Sequence, residues 1–136
     1  MASTPSFPIA SLLVASGGAF GSWLRFVTAR LWTMAIGPVA TAAFPWSTLT
    51  VNVLGSLIMG LLMGWLARHA QGAETWRLLL GIGVIGGFTT FSSFTLDFGV
   101  LAERGALGLG FIYIAVTLLA GIGALFAGLA VMRAIA

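Results

Sequence analysis

The residues of this chain that can do chemistry are almost all uncharged. Residues 84–100 read VIGGFTTFSSFTLDFGV, an apolar stretch whose centre is interrupted by the paired glycines Gly86-Gly87, by two threonines and two serines at 89–93, and then by the single acid Asp97. Phe91 and Phe94 are three residues apart, about 60° around a helix of 3.6 residues per turn, so they share a face. Ser93 and Asp97, four apart, are also neighbours, while Ser92 lies beside the phenylalanine stripe. An aromatic ring has a negative face and a positive edge. Ring edges, hydroxyl hydrogens and amide hydrogens can therefore replace an anion's hydration shell without a full positive charge. Phenylalanines at this spacing alone would read as lipid-facing or core. The interleaved hydroxyls shift the balance toward an anion.

Two further segments carry matching stripes. Asn52 and Ser56 share a face within Thr48-Leu49-Thr50-Val51-Asn52-Val53-Leu54-Gly55-Ser56, and Tyr113 and Thr117 repeat the spacing of four. An amide at membrane depth usually glues helices together, yet it can also donate to a passing anion. None of these three segments carries a cation in its interior. Such a lining suits a small anion better than a metal ion. Arg25 can raise the local anion concentration at a mouth or simply snorkel to the headgroups.

Gly86-Gly87 and the β-branched Thr89-Thr90 weaken a helix from within. A break at membrane depth leaves backbone carbonyls without partners, which is tolerated only inside protein or along a wet cavity. Freed carbonyls form an oxygen-only cage suited to a small cation. The alternative is a kink healed by threonine hydroxyls bonding back to the chain.

The elements that must position these residues are membrane spans. Of 136 residues, 60% are apolar and 7% charged, against roughly 25% charged in a soluble domain. Mean hydropathy is +1.11. Charge-free runs cover 9–24, 47–67, 78–96 and 105–132, close to the ~20 residues needed to cross about 30 Å of hydrocarbon. The expected class is an all-α membrane protein, one domain over 1–136. Its four spans are expected at about 9–32, 47–67, 77–101 and 106–132, the third broken near Gly86–Thr89. Residues 33–45, with Pro38 and Pro45, read as an irregular or amphipathic crossing; 68–74 read as a polar loop and 103–105 as a tight turn. The first charge is Arg25, so the positive region that precedes a cleavable signal is missing.

Charge is informative mainly by its balance. Three arginines fall on the side shared with the N-terminus and two or three on the other, so the positive-inside rule scarcely fixes an orientation. One reading is a weakly oriented protein inserted a single way; the sharper one is insertion in both orientations, for which an antiparallel two-fold dimer is a natural closed assembly. Glycines at Gly17 and Gly21, Gly60 and Gly64, and Gly83 and Gly86 allow close helix approach, within one chain or between chains.

The same strings carry a resemblance. Gly17-Gly18-Ala19-Phe20-Gly21-Ser22-Trp23-Leu24-Arg25, Thr50-Val51-Asn52-Val53-Leu54-Gly55-Ser56 and above all Gly86-Gly87-Phe88-Thr89-Thr90-Phe91-Ser92-Ser93-Phe94 resemble the Fluc (CrcB) family of fluoride channels, over nearly the whole chain. The resemblance implies a dual-topology homodimer in a bacterial cytoplasmic (inner) membrane. It would hold two antiparallel pores that pass fluoride passively, reject chloride and confer fluoride resistance by export. Phe91 and Phe94 would match the family's pore-lining phenylalanines. Asn52, Ser92, Ser93 and Thr117 would match its polar track, and Tyr113 the tyrosine of its fourth span. A central sodium ion would be held by backbone carbonyls matching Gly86 and Thr89. Asp97 departs from the pattern, in which glutamate is the commoner residue.

Other classes fare worse. With no cysteine and a single histidine, His69, thiolate chemistry is absent and a metal centre unsupported. There is no nucleophile–base pair and no pair of carboxylates, so the chain does not read as an enzyme. A net charge of +3 is spread over six scattered arginines and forms no nucleic-acid patch. A small proton-coupled antiporter needs a carboxylate inside the membrane, and the first span has none. A non-conducting assembly subunit is the remaining rival; it would use the polar stripes only as glue.

Overall fold

A computed structural model describes residues 5–69 and 72–135. Within the loop expected at 68–74, Ala70 and Gln71 lie outside the described residues, as do 1–4 and 136. Every regular element is helical. Helix α1 runs Phe7–Ala43 and α2 Trp46–Leu66. The third traverse is composite: α3 (Ala73–Trp76), a π-helical segment Arg77–Ile85, α4 (Gly86–Phe88) and α5 (Phe91–Glu103). Helix α6 runs Leu107–Ala134. Four traverses are long and apolar enough to cross a bilayer: α1, α2, residues 73–103 and α6. The chain is a multi-pass helical membrane protein.

The stretch 33–45, expected as an irregular or amphipathic crossing, is helical almost to its end. Only Gly37 leaves the helix, at φ 81° and ψ 162°, a left-handed turn that glycine adopts without Cβ strain. Pro38 then stands in the first turn of the continuation, where no backbone N–H is required. The hydroxyls of Thr33 and Thr41 bond back to the carbonyls of Ala29 and Gly37. Proline here restarts a helix rather than ending one.

Glycines set the helix spacing. A Cβ on Gly17 or Gly21 would run into the backbone of the π segment and α4, and one on Gly87 would lie 2.5 Å from the Gly18 carbonyl oxygen. On α2 and α6, Gly60 and Gly128 meet backbone on the facing helix in the same way. Gly17, Gly21, Gly60, Gly64 and Gly83 thus serve close approach within the chain, whereas Gly86 touches no facing helix. The α5–α6 turn closes on Gly105 at φ 77°, with the Ala106 N–H donated to the Leu101 carbonyl. This is the glycine-terminated cap that makes so short a reversal possible.

Two apolar clusters form the interior. Leu62, Leu66 and Ile85 pack with Met59, Met63 and Leu80. Phe94, Leu101 and Tyr113 pack with Phe44, Leu49 and Ile114. Ile85 and Phe94, one in each cluster, flank the join of α4 and α5, where the backbone leaves the helix.

Candidate functional site

The site is built around two extended residues. Thr89 has φ −81° and ψ 160°, and Thr90 φ −155° and ψ 125°. The paired glycines are not the interruption, since Gly86, Gly87 and Phe88 are helical. Gly87 is instead a point where α1 presses close. Backbone groups freed between α4 and α5 are met mostly by side chains. The Thr89 N–H and Oγ1 both donate to the Ile85 carbonyl, each at 2.9 Å. The Thr90 N–H donates to Asn52 Oδ1 at 2.9 Å, and Asn52 Nδ2 donates to the Thr90 carbonyl at 3.1 Å. Thr90 Oγ1 caps α5 by accepting the Ser93 N–H at 3.1 Å, the usual use of threonine at a helix start. The Thr89 carbonyl accepts no hydrogen bond among the described residues.

Beside this join lies a cavity of about 440 Å³. Asn52, Ser56, Thr89, Thr90 and Thr117 give its polar wall, and Phe91 and Phe94 its aromatic wall; Met59, Leu118, Ile122 and Leu125 extend it as an apolar end. No ionisable side chain lines it. The phenylalanine rings are 5.7 Å apart at 41°. Phe94 is buried while Phe91 is 75% exposed in the single chain.

The free donors can be counted. Ser56 and Thr89 spend their hydroxyl hydrogens on the carbonyls of Asn52 and Ile85. The Thr117 hydroxyl is buried and has no partner among the described residues. One Asn52 amide hydrogen goes to Thr90, leaving its second uncommitted. A hydroxyl, an amide hydrogen and ring edges thus converge on one uncharged space. Leaving a buried hydroxyl unpaired costs roughly 1–3 kcal/mol, so the Thr117 hydroxyl is a donor that a hydrogen-bonding guest in the cavity could satisfy.

Thr90 also lines a second cavity, of about 340 Å³, with Ser22, Arg25, Phe26, Ser47, Thr48 and Ser93. Arg25 therefore lines a half-open recess that it shares with α2 and α5, and it makes no hydrogen bond or ion pair among the described residues. Of the residues singled out in the sequence, Asn52, Thr89, Phe91, Phe94 and Thr117 meet in the first cavity, and Arg25 and Ser93 in the second. Three are placed elsewhere. Ser92 is exposed and lies 3.3 Å from Thr90 Oγ1. Tyr113 is fully buried, against Phe94 and Phe44, and donates to Asp97 Oδ2 at 3.2 Å. Gly86 lines neither cavity. Sequence reasoning missed Thr90 as the wall between the two spaces. It also passed over Thr48, although the steps of four from Thr48 to Asn52 to Ser56 mark one helix face.

Fold and site define a class: multi-pass helical membrane proteins with an uncharged, donor-lined cavity open on one side. Comparison with known proteins narrows it. The family described as CrcB-like protein, camphor resistance (CrcB), matches residues 12–129. A protein of Novosphingobium aromaticivorans named fluoride-specific ion channel FluC is 51% identical over 127 residues, 93% of this chain and 98% of that one. Proteins of the same name from Caulobacter vibrioides and Agrobacterium fabrum are 47% and 50% identical, over 90% and 89% of this chain and 94% of each relative. The chain belongs to the CrcB family.

Proposed function

We propose that this protein is a passive, fluoride-selective ion channel that exports fluoride across a bacterial cytoplasmic membrane. The supporting observation is the uncharged cavity in which the unpartnered Thr117 hydroxyl, the Asn52 amide and the Phe91 and Phe94 rings converge. The name carried by its relatives supports the same ion. Fluoride is small and strongly hydrated, so a narrow path of close donors must offset its dehydration in stages. Conduction also requires that no site hold the ion too tightly, which favours rings and hydroxyls over arginine. In this reading Asn52 and Thr117 form the polar side of the path, Phe91 and Phe94 its aromatic side, and Arg25 and Ser93 the adjoining vestibule. Ser92, exposed, and Tyr113, buried behind Phe94 with its hydroxyl on Asp97, support it from outside these two spaces.

The functional unit in this reading is an antiparallel homodimer of two oppositely inserted four-helix domains, each spanning 1–136. Phe91, exposed in one chain beside an open-sided cavity, is then covered by the partner. The near balance of arginines is the sequence feature that permits both insertions. In this reading the two copies would cross where α4 gives way to α5, and carbonyl oxygens there would hold a structural sodium ion. The donor set fits such an ion. The Thr89 carbonyl is unpartnered among the described residues, and Thr90 gives Asn52 the N–H that would normally reach the Gly86 carbonyl. Carbonyl oxygens suit a hard cation, and two copies would double the set. The ion would pin the crossing; the permeating path is formed by side chains.

Purified protein in sealed vesicles loaded with fluoride, with valinomycin and potassium to carry the balancing charge, gives the test. Fluoride-electrode traces should show rapid efflux, and chloride-loaded vesicles none. Vesicles that retain fluoride, or release chloride equally fast, would sink the proposal.

A further inference from the structure

We propose that Arg104 gathers anions at the outer end of an approach to this site, a role that rests on the fluoride-conducting reading. Ser47 and Thr48, in the wall of the Arg25 cavity, also line a third cavity of about 220 Å³. The two spaces therefore adjoin across the first turn of α2. The third cavity is bounded by Thr41 and Ala42 at the end of α1 and by Asp97, Leu101 and Arg104 on α5 and its cap. Since Thr90 separates the first cavity from the second, the three spaces lie in series. They lead from Phe91 and Phe94 to the end of the bundle where α1 meets α2 and α5 meets α6.

Charge along this series is uneven. The inner cavity has no ionisable lining, the middle one has Arg25, and the outer one has Asp97 and Arg104. Asp97 accepts from Tyr113. Arg104 is exposed, and its Nη1 donates to the Ala42 carbonyl at 2.8 Å. That bond holds the guanidinium against the α1 terminus, at the rim. Among the described residues the only ion pair is Glu74–Arg77, so Arg104 makes no direct pair with Asp97, which lines the same cavity, or with the exposed Glu103 beside it. A fixed, unpaired cation at an opening concentrates small anions within about a Debye length. Without it the outer cavity would keep the carboxyl group of Asp97 and no cation.

The chain contains no cysteine, so Arg104→Cys provides one addressable thiol. The purified variant is divided and labelled with trimethylammonium-ethyl or sulfonato-ethyl methanethiosulfonate, reagents of similar size and opposite charge, before reconstitution. Both samples share one fold and differ by two charges at the rim. At ~10 mM ionic strength, where the Debye length is about 30 Å, the cationic adduct should pass fluoride roughly fourfold faster. This follows from two charges acting over ~10 Å in water. Near 1 M potassium isethionate the rates should converge. Equal rates at low ionic strength, or a difference that salt leaves unchanged, overturn the assignment. Should Arg104→Cys not purify, Arg104→Lys against Arg104→Gln asks the same question, since both side chains can donate to Ala42 and only lysine keeps the charge. Silent wild-type vesicles would instead overturn fluoride conduction itself, and the role of Arg104 with it.

Discussion

Asn52 and Thr90, 38 residues apart, form a two-point clamp: the amide oxygen accepts the Thr90 N–H and the amide nitrogen donates to the Thr90 carbonyl. One side chain from α2 thereby replaces the backbone partners that an extended residue loses at membrane depth. The remaining amide hydrogen is available to the cavity. Holding the backbone and offering a donor are two uses of one side chain.

Replacing Asn52 should therefore damage stability and transport together. Asn52→Leu removes both bonds and strands the Thr90 groups, at about 2 kcal/mol. Asn52→Asp keeps an acceptor for the N–H but, ionised, turns a carboxylate toward the Thr90 carbonyl. Both variants should melt earlier than wild type in detergent and conduct less fluoride. A normal melting midpoint for Asn52→Leu would remove the clamp from the account.

Thr117→Val separates the two uses at another position. The hydroxyl has no partner among the described residues, so an isosteric methyl should leave the fold intact or stabilise it by about 1 kcal/mol. Fluoride efflux should nevertheless fall several-fold. Unchanged flux would mean that this donor is not on the path.

The phenylalanines should differ in stability and agree in transport. Phe94 is 7% exposed and packed on Tyr113, whereas Phe91 is 75% exposed in the single chain. Phe94→Ile should cost about 1 kcal/mol through imperfect repacking, and Phe91→Ile less. Efflux should drop sharply in both. Wild-type flux in both variants would remove the rings from the mechanism.

Glycine contacts give a stability contrast. A Cβ on Gly87 would meet the Gly18 backbone, while one on Gly99 would meet nothing within 4 Å. Gly87→Ala should destabilise by about 1–3 kcal/mol as α1 is pushed outward. Gly99→Ala should stabilise α5 by up to ~1 kcal/mol through helix propensity alone. Urea or thermal titration of both proteins checks the sign of each.

What the sequence determined by itself was the set of spans and the polar stripes. Charge-free length and a spacing of four are local properties, readable without knowing any neighbour. The strings around Asn52 and Phe91 carried the family as well. Residues 33–45 read only as an irregular or amphipathic crossing because Pro38 looks the same beginning a helix as breaking one, and only the left-handed Gly37 distinguishes them. The function of Gly86-Gly87 was hidden for a related reason. Glycine weakens a helix in isolation, but with α1 lying against Gly87 its missing Cβ is worth more as clearance than its flexibility costs. Only tertiary structure could decide that Asn52 spends its amide on Thr90, that Thr117 keeps its hydroxyl free and that Arg25 faces a cavity. Each outcome depends on which helix comes to lie opposite, and that pairing is set by backbone contacts far apart in the chain.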